Sequence, residues 1–121
     1  DMAAPNIVNV ATITGITTGR ALTTTTTTQL LTNVASSNKV FKVNSIVIAN
    51  VDGSSSADAT IAYNDGSTSY HLAKTVTIPA DSTLVLVDKN SSLYLEEGTK
   101  IVGGASANSD LEAVISYEEI S

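Results

Sequence analysis

The chain has 121 residues, a net charge of −6 and no cysteine, so disulfides and thiolate metal centres are excluded. Its six basic residues (Arg20, Lys39, Lys42, Lys74, Lys89 and Lys100) are scattered, which argues against nucleic acid as a partner. No apolar run approaches the roughly 18 residues needed to cross a bilayer, so no membrane partner is expected. A single domain of this length buries roughly 65% of the surface its unfolded chain exposes, enough for one core.

At the start, "DMAAPNIV" lacks the charged-then-apolar layout of a signal peptide. Met2 followed by Ala3 reads as a natural initiator, and Asp1 as the remnant of an expression tag. "NIVNVATITGITTG" is β-patterned and leads into the run Thr23 to Thr28, which meets Leu30 and Leu31. A glycosylated stalk would be rich in proline and free of apolar flanks. Residues 6–32 are therefore expected to form an extended N-terminal arm plus a first strand, with 1–37 set apart from a β-sandwich domain at 38–121. Thr23, Thr25, Thr27 and Leu30 are the arm's interface candidates, since strand addition needs main-chain groups and no special side chains.

In "KVFKVNSIVIANV", Phe41, Val43, Val47, Ala49 and Val51 alternate onto one face. The other face is polar at Lys42 and Asn44 but apolar at Ile46 and Ile48. These two isoleucines are expected to lie where a neighbouring subunit or the arm covers them.

The clearest hairpin follows. Ala59, Ile61 and Tyr63 alternate with polar neighbours, Asn64-Asp65-Gly66 signals a tight turn, and Tyr70, Leu72, Val76 and Ile78 continue the apolar face. Lys74 falls in that apolar register, which places it near a sheet edge. Pro79 ends the strand because it donates no ladder hydrogen bond. "TLVLV" is apolar on both faces. "SSLYLEEGTKIVGG" reads as strand, turn and strand, and "DLEAVISYEE" puts Leu111, Ala113, Ile115 and Tyr117 on one face.

Thr, Val and Ile sit comfortably on a pleated surface, and no segment sustains a helical period. The expected fold is all-β: an antiparallel, jelly-roll-like β-sandwich of about eight strands. Leu111, Ile115, Ile61, Leu72, Phe41 and Val43 form the expected core.

No catalytic constellation is legible, and the chain reads as a non-enzyme without cofactor or metal. His71, the one histidine, falls on a polar strand face. Glu96-Glu97 and Glu118-Glu119 are neighbours that point apart in a strand, which suits solubilising charges better than acid–base pairs. Asp52 and Asp58 bracket a loop of small polar residues without the spacing of a calcium loop. "GGAS" at 103–106 is no phosphate cradle. Most of the tyrosines fall in core register, which disfavours carbohydrate recognition through exposed rings.

"NKVFKVNSIVIANVDG", "ADATIAY" and "TIPADSTLVLVDKNSSLYLEEGTKIVGGASANSDLEAVISYEE" together resemble the small β-sandwich virion proteins of tailed bacteriophages, above all those of phages infecting cyanobacteria. The likeness covers residues 38–121. It departs at Thr99, where the family's turn usually carries Asp. The resemblance implies a non-enzymatic virion component, made in the host cytoplasm and oligomeric, with a trimer expected. A decoration or cement protein on the head exterior, bound to the major capsid protein, is the first reading. A tail-associated adaptor, fibre or receptor-binding module is the second, with loops 52–57, 64–69 and 88–92 as its contact surface. A free carbohydrate-binding module is the third.

Overall fold

In the computed structural model, which describes residues 10–121, nine antiparallel strands form two facing sheets. In chain order they are β1 (Ile13–Ala21), β2 (Gln29–Thr32), β3 (Val40–Asn50), β4 (Ala57–Asn64), β5 (Ser69–Ile78), β6 (Thr83–Val87), β7 (Leu93–Leu95), β8 (Lys100–Ala105) and β9 (Leu111–Ile120). The first sheet has the order β1-β9-β3-β6, with β7 also paired to β3; the second has the order β2-β8-β4-β5. Setting aside the three-residue β7, the chain is one long ribbon in which β1 pairs β9, β2 pairs β8, β3 pairs β6 and β4 pairs β5. Wrapped into two sheets, that ribbon is a jelly roll. Asp1 and the beginning of the expected arm lie outside the described residues. Further on, residues expected in the arm and first strand supply β1 to one sheet and β2 to the other.

Burial follows the alternation of inward residues. Leu111, Ala113, Ile115 and Tyr117 of β9 line the core from the first sheet, and Ala57, Ala59 and Ile61 of β4 line it from the second. Phe41 packs on Tyr117 with ring centroids 5.1 Å apart. Two sites depart from the alternation expected above, and both are bulges.

In β3, Val43 lies opposite Tyr117 while Ser45 lies opposite Ser116, so one extra residue is accommodated at Asn44. The parity of inward positions therefore flips: Phe41 and Val43 point in, and so do Ile46, Ile48 and Asn50. Ile46 and Ile48 are both 0% exposed. The expectation that a neighbouring subunit covers them is overturned, because their own chain buries both; Leu22 and Leu31, from the residues expected in the arm, belong to the same core cluster.

In β5, the pairing with β4 slips twice, between Ala59 and Ile61 and between Ile61 and Ala62. Thr75 takes a left-handed backbone (φ 48°), and its N–H donates to Thr60 Oγ1 at 3.1 Å. Only Ala73 and Ile78 of β5 are buried; Tyr70, Leu72 and Val76 are exposed. Leu72 thus leaves the expected core, and the other five members stay in it. Lys74 sits, as its register suggested, on an edge strand.

Candidate functional site

The threonine run is neither a strand nor a free arm. Residues 22–28 cross from one sheet to the other and lie on β8: Ala105 N–H donates to Thr23 C=O at 2.8 Å and Gly103 N–H to Thr28 C=O at 2.9 Å. Asn108 Oδ1 accepts Thr24 N–H at 3.0 Å. A Cβ at Gly104 would stand 2.6 Å from Thr23 C=O and 2.7 Å from Thr25 C=O, so the loop and the bare backbone of Gly104 require each other. Thr23, Thr25 and Thr27 keep exposed side chains, whereas Leu30 packs partly against the core. The six interface candidates therefore do not share a surface: Ile46 and Ile48 are interior, Leu30 is half-buried, and the three threonines cap one end of the sandwich.

The exposed apolar positions lie one residue over from the isoleucines. Val47 stands opposite Val114 on one side and Val85 on the other, and Val114 stands opposite Gly19. This stripe crosses the outer face of the β1-β9-β3-β6 sheet, with Val114 43% and Val85 59% exposed. A shallow groove of about 300 Å³ opens beside Gly19, lined by Arg20, Ala21, Glu112 and Val114. Ser45, Ser116 and Thr17 form the next row, in which Thr17 Oγ1 and Ser116 Oγ share a hydrogen bond of 3.0 Å. These two rows are built from aliphatic and hydroxyl side chains, with Glu112 on one side of them and Glu118 and Lys42 on the other.

The edge of that face is β1, paired with β9 over nine consecutive residues without a register shift. Just before it, Thr12 and Ser121 exchange both backbone hydrogen bonds at 2.9 Å; just after it, Leu22 N–H donates to Leu111 C=O at 2.8 Å. Antiparallel ladders alternate bonded and non-bonded pairs. Even-numbered residues from Thr12 to Leu22 therefore direct their backbone groups to β9. The N–H and C=O groups of Ile13, Gly15, Thr17, Gly19 and Ala21 point the other way, where no strand lies among the described residues.

Buried polar side chains hold the loops at both ends, and none was expected from the sequence. Asn33, fully buried, donates from Nδ2 to Lys39 C=O at 2.8 Å and Leu95 C=O at 3.0 Å, and accepts from Ser37 Oγ. Glu97 is buried, not a solubilising charge: Oε2 accepts Asn38 N–H, while Oε1 has no partner. Glu119, also expected to be a solvated charge, pairs with Lys39 at 2.8 Å. Asn50 Nδ2 donates to Ser55 C=O and Ile78 C=O at 3.0 and 2.9 Å. The Asp52 carboxylate accepts from Ser54 N–H and Ser55 N–H, which lowers its pKa below the ordinary 3.8. Asp58 accepts from Thr77 Oγ1 at 2.7 Å. Both carboxylates thus serve turns and ladders. Among the described residues no three His, Asp or Glu side chains converge.

The tyrosines depart from expectation. Tyr63, Tyr70 and Tyr94 converge with Leu72, Leu93 and His71 on an open cleft of about 300 Å³, where the edge strand β5 meets β7. Tyr70 is 58% and Tyr94 46% exposed; Tyr70 stands opposite Tyr63 near the end of the edge strand, and Tyr94 stands opposite Lys42 on the short β7. The loops expected to form one contact surface are separated. Loop 64–69 lies at the β4–β5 end, 52–57 at the opposite end, and 88–92 at the margin between β6 and β7.

The described residues form a jelly-roll sandwich in which the regular edge of β1 meets no other described strand, with a valine stripe on the outer face of the same sheet. No protein-family model, curated protein or solved structure matches the chain.

Proposed function

We propose that this chain is a non-enzymatic structural protein of a tailed-phage virion, a decoration or cement protein that self-associates and seats on the major capsid protein at the head exterior. One observation carries the assembly part: the valine stripe Val114–Val47–Val85 runs across three strands beside the open β1 edge. A contiguous apolar face next to unpaired backbone groups suits docking better than solvation. The virion part rests on the resemblance of residues 38–121 to phage sandwich proteins. Copy number tests it: a decoration protein occurs on the order of hundreds of times per particle, following shell symmetry. Quantitative mass spectrometry of purified virions that finds a few copies per particle would refute that placement.

A second reading, a tail-associated module contacting the host, is favoured by the tyrosine cleft. Exposed rings of Tyr70 and Tyr94 beside Leu93 offer flat apolar faces with hydroxyl tips, a chemistry suited to the C–H faces of sugars. Binding of host surface polysaccharide that is lost in Tyr70→Ala and Tyr94→Ala would establish this reading over the first.

A further inference from the structure

We propose that β1 is a self-pairing edge: two copies of this chain join antiparallel, β1 against β1, centred on Thr17. This rests on the self-association part of the reading above and not on its virion part. The outward-bonding residues are Ile13, Gly15, Thr17, Gly19 and Ala21, and the glycines fall symmetrically about Thr17. An antiparallel copy centred there sets Gly15 opposite Gly19, Ile13 opposite Ala21 and Thr17 opposite itself. Each such pair exchanges two backbone hydrogen bonds, so every open donor and acceptor of the edge is satisfied.

The glycines are the independent sign. Neither has the left-handed backbone that demands glycine, and the chain's own packing does not require them. Nothing lies within 4 Å of a Cβ built on Gly15, and nothing nearer than 3.8 Å at Gly19. This contrasts with Gly103, where a Cβ would stand 2.6 Å from Ile61 Cδ1 and Thr60 C=O. Bare Cα positions at Gly15 and Gly19 leave the outer face of the sheet clear along the seam, so no opposed side chains crowd there when two copies pair. Arg20, the one charged residue of β1, comes opposite the uncharged Thr14 of the other copy, so no like charges meet across the seam. The strand carries no proline, lysine or bulge to repel a partner.

Sedimentation velocity of the full chain across a concentration series is the test, with two variants beside the parent. Thr17→Pro removes one outward N–H and no bond to β9. Gly15→Lys/Gly19→Lys keeps the β9 ladder and brings lysines face to face in the paired copy. The parent is expected to be a dimer that dissociates on dilution, with the dissociation constant raised at least about tenfold in each variant, while far-UV circular dichroism is unchanged. A parent that stays monomeric overturns both the pairing and the self-association reading. A trimer, or a dimer that survives both variants but is lost in Val85→Arg/Val114→Arg, overturns the pairing alone and leaves self-association through the outer face standing.

Discussion

Each sheet of this sandwich ends in a long strand, and the two are treated in opposite ways. β5 slips twice against β4, forces Thr75 into a left-handed backbone and carries Lys74 and His71. Those are the devices by which sheets blunt an edge. β1 has neither slip nor left-handed residue: its ladder is continuous, and its outward backbone groups belong to uncharged residues, Arg20 being the one charge on the strand. One fold that protects one edge and leaves the other regular distinguishes a surface kept from pairing from a surface kept for it. The Thr-rich character of the N-terminal third acquires a physical reading. The run at 23–28 is a crossover held by β8, and the strand before it is the open edge.

Substitutions at graded depth break or sharpen this contrast. Ile46→Asp has the largest expected effect, about 4 kcal/mol or more of lost stability, because it buries a charge under the opposite sheet. Chemical denaturation would show it; a variant of parental stability with weakened self-association would restore the covered-surface expectation and refute the β3 bulge. Phe41→Ala comes next at about 3–5 kcal/mol, by the cavity left beneath Tyr117. Glu97→Ala, which frees the Asn38 N–H, is expected to cost about 1–3 kcal/mol in the same assay. Leu72→Ala should change stability by less than about 1 kcal/mol, since β5 carries that side chain outward. A larger loss would place Leu72 back in the core.

Acid adds a further graded test. Asp52 and Asp65 are held below the ordinary carboxylate value of 3.8, Asp52 by the N–H groups of Ser54 and Ser55, Asp65 by those of Thr68 and Ser67. A depressed folded pKa contributes stability that is present above the unfolded value and lost as pH falls through the folded one. The contribution of these turns should therefore be intact above pH 3.8 and decline below it. Asp52→Asn and Asp65→Asn should flatten that decline in denaturation midpoints measured against pH.

Fold class and most inward positions were legible because period-two alternation survives wherever strands pair regularly, as along β9. The two errors came from one cause. A bulge shifts parity by a residue, so Ile46 and Ile48 read as an exposed face and Leu72 as core. The sign was nonetheless present in both strands: polar Lys42 and Asn44 giving way to isoleucines, and Lys74 falling among apolar positions. The buried polar group was illegible for a different reason. Asn33 binds Leu95 C=O and Glu97 caps Asn38, partners far apart in sequence that only the wrapping of the ribbon brings together. The tyrosine cleft was hidden likewise, since it joins β4, β5 and β7 across two sheets.

Amide hydrogen exchange resolved residue by residue along β1 tests the contrast between the edges most directly. In concentrated protein, the N–H groups of Gly15, Thr17, Gly19 and Ala21 should be protected like those of Ile16 and Thr18, and should lose that protection on dilution. Fast exchange of the odd-numbered amides at every concentration, with the even-numbered ones still protected, would contradict the account and leave β1 an edge without a partner.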